Sequence, residues 1–153
     1  MNCASTHGWL FLAVFLVPTS FAHADWVKYA ANYDGTYYFD PTRIRKTGKL
    51  QLVWELDDRI LPVVFTKERR GGTAVLDFFF SSAKNLYALN CESGMYAIVS
   101  QVLHQEQMGA GTVVYSYDKN EKDWEFKAAP PRSMIEDLLG RVCAPASAKG
   151  KAK

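Results

Sequence analysis

Apolar residues alternating with polar ones at period two constrain this chain more than any other feature. Across Leu50–Leu56, the side chains of Leu50, Leu52, Trp54 and Leu56 project one way from an extended backbone, and Gln51 and Glu55 project the other. A half-buried strand requires that arrangement, because successive side chains of a strand point to opposite faces. Trp26–Tyr33, Tyr37–Phe39 and Val113–Tyr117 are rich in aromatic and β-branched residues, which suit a pleated surface. Turn chemistry separates these runs at Tyr33-Asp34-Gly35, Lys46-Thr47-Gly48, Arg70-Gly71-Gly72, Glu92-Ser93-Gly94 and Tyr117-Asp118-Lys119-Asn120.

Leu61–Thr66 and Thr73–Phe80 flank a charged tip at 67–72 and read as a hairpin. The stretch Thr73–Cys91 admits two readings. Ala74–Leu89 suits a helix by composition, whereas Phe78-Phe79-Phe80 and the alternation of Asn85, Tyr87, Leu89 and Cys91 favour a strand, which is the preferred reading. One helix is clear. Pro130-Pro131-Arg132-Ser133 precedes it, Ser133 and Glu136 have capping-box spacing, and Ile135, Leu138, Leu139 and Val142 form one apolar stripe. The expected fold class is α+β. It is a meander of about six strands, antiparallel because the links are too short for helical crossovers, with a C-terminal helix packed on one face.

The N-terminus reads differently. Trp9–Val17 is an uncharged apolar run, followed by Pro18 and then Ala22-His23-Ala24, the layout of a secretory signal peptide cleaved before Asp25. Met1–Gly8 is atypical for such a peptide in carrying no Lys or Arg. The run falls well below the ~20 apolar residues of a spanning helix, so no integral membrane segment is expected after cleavage. Removing residues 1–24 from a chain of 153 leaves 129, enough for one core. Cys3, His7 and His23 leave with the signal, so Cys91, Cys143 and His104 remain. Two cysteines in an exported chain predict a disulfide, whereas zinc wants four ligands and only His104 adds a nitrogen. Closing a loop of about 53 residues stabilises a fold by roughly 4 kcal/mol in the chain-entropy model. The bond is expected to be structural, since no Cys-x-x-Cys is present. It would staple the helix end to a strand end. Residues 144–153, of Ala, Lys, Pro and Ser without pattern, are expected to form a disordered basic tail.

The chemistry-bearing motifs of common enzymes are missing. There is no Gly-x-Ser-x-Gly elbow, phosphate loop, dinucleotide fingerprint or His-Glu-x-x-His, so no catalytic residue, metal or cofactor is assigned. His104, in Val102-Leu103-His104-Gln105-Glu106, reads as a solvated or capped histidine at a strand end. Glu55 and Asp57 should share a strand face, with Asp58 turned away. Their plain reading is a strand running out into a solvated loop. Tyr37, Tyr38 and Trp54 are expected in the core. Lys plus Arg number 18 against 16 Asp plus Glu, a net charge of +2, too weak for a nucleic-acid footprint. Three basic patches stand out: Arg43, Arg45, Lys46 and Lys49; Lys67, Arg69 and Arg70; and Lys149, Lys151 and Lys153. Each could meet an anionic partner surface. Each also has the look of an exposed hairpin tip or edge guarded against aggregation. Arg43, Arg45, Lys46, Lys67, Arg69 and Arg70 are the candidate partner-binding residues.

Trp26-Val27, Tyr37-Tyr38-Phe39-Asp40, Arg43-Ile44, Val53-Trp54, Ser81-Ser82-Ala83-Lys84 running through Tyr87-Ala88-Leu89-Asn90-Cys91, Met108-Gly109-Ala110-Gly111, Trp124, Pro131-Arg132-Ser133 and Cys143 together resemble the surface-adhesin protein E family of Gram-negative bacteria. The resemblance covers residues 25–143. It implies an antiparallel sheet with a helix tethered by the Cys91–Cys143 bond, and a non-enzymatic exported protein that binds host matrix or serum proteins. A lipoprotein of that kind needs a Cys after the cleavage site, where this chain has Asp25. That leaves periplasm or cell surface open as the location. The alternative reading is a periplasmic envelope accessory protein, or an inhibitor of a host enzyme such as lysozyme.

Overall fold

A computed structural model describes residues 25–68 and 74–144. Residues 1–24, expected to be a signal peptide, residues 69–73 with Arg69 and Arg70, and residues 145–153 of the expected disordered basic tail lie outside the described residues. Eight strands form one antiparallel sheet: β1 (Val27–Ala31), β2 (Gly35–Phe39), β3 (Arg45–Thr47), β4 (Leu50–Glu68), β5 (Ala74–Asn90), β6 (Met95–His104), β7 (Val113–Asp118) and β8 (Lys127–Ala128). The spatial order is β1-β2-β4-β5-β6-β7, with β3 added to β4 and β8 to β6. Six strands make the main path and the two extra ones are short, so the expected meander is present with more strands than the residue pattern suggested. Among the described residues one α-helix, α1 (Met134–Cys143), follows the sheet.

The expected strand at 50–56 and the one at 61–66 are a single element. β4 runs through both, and its pairing with β5 is regular from Leu50↔Asn90 to Asp58↔Ser82 and resumes at Val63↔Phe80. The register break holds Pro62, which has no N–H to give to a ladder and so sits where the ladder is interrupted. The stretch that admits two readings is strand over Ala74–Asn90, as β5. β2 pairs with β4 as far as Gly35↔Arg59. The backbones approach so closely there that a Cβ on Gly35 would collide with the Asp58 carbonyl.

The two faces of the sheet are covered by different pieces of chain. On one, Tyr29, Tyr37, Phe39, Val53, Tyr87 and Leu89 pack against Ile135, Leu138 and Leu139 of the helix. On the other, Ala88, Ala97 and Val99 pack with Leu50, Leu52 and Leu86 beneath Trp124 and Phe126. Ser133 caps the helix by accepting a hydrogen bond from the Glu136 N–H at 3.3 Å, as the capping-box spacing predicts. The Cys91–Cys143 disulfide ties the last helical residue to the residue after β5. Tyr37 is buried, whereas Tyr38 and Trp54 are half-buried.

Candidate functional site

Three surfaces have the ingredients of a binding site, and the basic residues are the first. Arg45 and Lys46 are exposed on β3, opposite Leu52 and Gln51 of β4. Arg43, in a 3-10 turn capped by Asp40, pairs through Nε with the buried Asp40 carboxylate at 3.3 Å. Lys67 is at the far end of the same long strand, opposite Val75. At about 3.3 Å per residue the two groups are roughly 50 Å apart along β4, so they are separate patches. Arg69 and Arg70 lie outside the described residues.

The second surface is apolar. Beyond the Pro62 break, β4 and β5 continue as a two-stranded arm. Val63, Phe65, Phe78 and Phe80 share one face of it, in the pairs Val63↔Phe80 and Phe65↔Phe78. Phe65 stacks on Phe78 with ring centroids 4.8 Å apart, and Phe78 on Tyr115 of β7 at 6.2 Å. Tyr117 continues the row, 6.1 Å from Tyr115. These rings, with Leu103 and Gln101, line a cavity of about 380 Å³. Phe65 is 45% exposed and Tyr115 46%. On the other face of the arm Val64 and Phe79 are exposed, as are Ile60 and Leu61 at its base. Period-two alternation in the sequence flags strands here but does not show that exposed apolar side chains stand on both faces of the arm.

The third surface corrects the reading of Glu55 and Asp57 as a solvated strand end. Both sit mid-strand on the helix-covered face, only 4% and 7% exposed. Glu55 accepts hydrogen bonds from the Tyr29 hydroxyl at 2.6 Å and from Asn85 Nδ2 at 2.9 Å. Asn85 in turn accepts from Gln101 Nε2 at 2.9 Å, so this chain of donors converges on Glu55. Asp57 Oδ2 pairs with Arg59 at 2.7 Å, while its Oδ1 accepts no hydrogen bond from any described residue. Burial pushes both carboxyls above their usual range. The donors from Tyr29 and Asn85 pull Glu55 back, and Arg59 pulls Asp57 back. Burial, followed by the Glu55 charge, also pushes the Tyr29 and Tyr87 hydroxyls far up, so both remain protonated donors. Around the two carboxylates is a cavity of about 310 Å³, lined also by Tyr37, Tyr87, Tyr96 and Ile98 and by the start of the helix at Ser133, Met134 and Ile135.

His104 is a further correction. It is buried rather than solvated, at 8% exposure, and neither ring nitrogen has a hydrogen-bond partner of good geometry. Burial, then the Lys84 ammonium, hold it below the usual imidazole value, with the Gly111 backbone pulling the other way. Lys84 donates to the Gly109 carbonyl at 2.9 Å and lies directly under Gly109, where φ is +70° and a Cβ would strike the lysine side chain. His104 and Lys84 thus pack beneath the 107–111 turn. No group of three metal-ligating side chains occurs among the described residues, and none of their helices is long and apolar enough to cross a membrane.

Comparison with known proteins agrees with this geometry. The family model for surface-adhesin protein E matches residues 26–144. Crystal form II of Haemophilus influenzae protein E superposes with a TM-score of 0.55 at 16% identity, covering 86% of this chain and 97% of that one. Protein E from non-typeable Haemophilus influenzae gives 0.52 at 15% identity, covering 84% and 82%. A further structure of Haemophilus influenzae protein E gives 0.53 at 14% identity, covering 90% and 96%. At such identities the likeness is one of fold. No curated protein sequence matches the chain significantly.

Proposed function

This chain belongs to the surface-adhesin protein E family, and from that premise we propose that it is a non-enzymatic, exported adhesive protein of a Gram-negative envelope, binding a host matrix or serum protein. The observation that carries this reading is the β4–β5 arm. Aromatic and aliphatic side chains exposed on both of its faces are costly to leave in water, and contiguous apolar surface of this kind marks protein-binding sites. Phe65, Phe78 and Tyr115 are rigid rings with few rotamers to freeze, which suits them as interface anchors. Lys67, Arg69 and Arg70 flank the arm tip in sequence and would add attraction for an anionic partner surface, raising the encounter rate more than the affinity. Arg43, Arg45 and Lys46 are far along β4 and would serve as a separate, secondary contact.

The test is solid-phase binding of the purified mature chain to immobilised matrix and serum proteins, beside a Phe65→Ser/Tyr115→Ser variant. Saturable binding by wild type, weakened at least about tenfold in the variant as expected for the loss of interface anchors, supports the adhesive reading. No binding above a disulfide-reduced control refutes it and turns the search to envelope partners or to inhibition of a host enzyme such as lysozyme.

A further inference from the structure

We infer that a fourth cavity, on the face of the sheet turned away from the helix, is a recognition site for a small aromatic carboxylate. Trp26, Trp54 and Val102 wall it, Lys84 and Arg43 bring positive charge, and Asp40 completes the lining. The inference does not rest on the adhesive reading, because none of the rings of the β4–β5 arm takes part.

Strand register builds the site. Val53 packs against the helix, so Trp54, the next residue of β4, points to the opposite face. Trp54 pairs with Leu86, and Leu56 with Lys84, which makes Trp54 and Lys84 diagonal neighbours on that face. Val102 of β6 is paired with Lys84 from the other side. The Asp40 N–H donates to the Trp54 carbonyl at 3.1 Å, and this brings in Asp40 and, three residues on, Arg43. Trp26, immediately before β1, completes the wall.

The accessible polar groups of the lining are donors. Lys84 is half-buried and gives one N–H to the Gly109 carbonyl at 2.9 Å, which leaves two of its three donors. Burial holds its ammonium below the usual lysine value, and no carboxylate offsets that cost. The Arg43 side chain is 45% exposed. Both indoles are half-buried, and neither N–H has an acceptor among the described residues or is sealed from water. Asp40, by contrast, is fully buried. Its Oδ1 accepts from the Thr42 N–H and hydroxyl at 2.9 and 2.5 Å, and its Oδ2 faces Arg43 Nε at 3.3 Å. Two cations against one engaged carboxylate leave a net charge of +1, which a single ligand carboxylate would balance and a phosphate dianion would overshoot. A sugar ring would ask for acceptors as well as donors, and the one carboxylate here is closed. The indole faces, on which no other ring stacks among the described residues, suit a flat apolar body held by offset or edge-on ring contacts. At about 250 Å³ the cavity is slightly below the usual size of ligand sites, which limits that body to one ring.

The experiment is an NMR titration of the folded chain with phenylacetate, with its uncharged analogue phenylacetamide, and with glucuronate, which carries the same charge on a hydroxylated ring. The indole N–H signals of Trp26 and Trp54 are followed for wild type and Lys84→Met, and that of Trp54 for Trp26→Leu. The expected result is saturable shifts with phenylacetate and affinity at least about tenfold lower for the other two compounds. Lys84→Met should bind phenylacetate about tenfold more weakly and no better than phenylacetamide, which separates loss of charge from loosening of the 107–111 turn. Trp26→Leu should weaken phenylacetate about fivefold and keep the preference for acid over amide, and it decides the matter should Lys84→Met fail to fold. No shift with phenylacetate, equal binding of phenylacetamide or glucuronate, indifference to both substitutions, or a Lys84→Met chain that still prefers the acid overturns the inference.

Discussion

Replacing Cys91 and Cys143 by alanine is expected to lower the unfolding free energy by about 4 kcal/mol. The bond spans 52 positions, and closing a loop of that length removes entropy from the unfolded chain worth about 4 kcal/mol at room temperature. Packing adds little, because Cys91 is exposed and Cys143 half-buried, so the alanines leave no sizeable cavity. In urea, with a slope of about 1.5–2 kcal/mol/M for a domain of this size, the midpoint should fall by between about 2 and 3 M. The helix should nonetheless remain docked until the sheet melts, since Ile135, Leu138 and Leu139 are buried against Tyr29, Tyr37 and Val53 whether or not the bond is made. Each such side chain contributes about 2 kcal/mol on burial. Far-ultraviolet circular dichroism and tyrosine or tryptophan fluorescence, followed in parallel, report helix and sheet separately. A midpoint shift worth under about 1 kcal/mol would refute the chain-entropy reasoning. A helical signal lost well before the fluorescence change would refute the claim that packing alone holds the helix.

Leu138→Ala should cost about 3 kcal/mol, because the side chain is fully buried and the helix is pinned at its end by the disulfide and cannot slide to fill the void; thermal unfolding reads this directly. Glu55 carries a pKa raised in the folded state by burial. Its stabilising contribution is therefore complete below the unfolded carboxylate value and is lost as pH rises through the raised folded one. Glu55→Gln should flatten that slope in stability measured from acid to neutral pH, and an unchanged slope would count against the assignment. Lys84→Met removes one charged hydrogen bond to the Gly109 carbonyl, worth about 1.5 kcal/mol, and should speed amide exchange in the 107–111 turn while leaving the β4–β5 ladder protected.

Much of the fold is legible in the residues because its determinants are local. Alternation at Leu50–Leu56, the turn residues at Glu92-Ser93-Gly94 and the Ser133–Glu136 capping spacing are each written within a few positions of the element they specify. The pairing of Cys91 with Cys143 follows from count once Cys3 is set aside with the expected signal segment. What those signals leave open is which neighbour arrives from far along the chain. Alternation places Glu55 and Asp57 on one face of a strand. That the face is dry depends on a helix nearly eighty residues later folding back over it, and that Asp57 Oδ1 is left without a donor depends on what β2 and β5 bring alongside. His104 looks like a strand end in sequence and is buried because the 107–111 turn closes over it. In the arm the dependence runs the other way: the same period-two pattern continues past Pro62, but no helix or segment covers Val64, Phe65 or Phe79 among the described residues. Backbone conformation answers to neighbours in sequence, through sterics and hydrogen-bond spacing. Burial and charge environment answer to neighbours in space, and those exist only once the sheet has formed and the helix has docked.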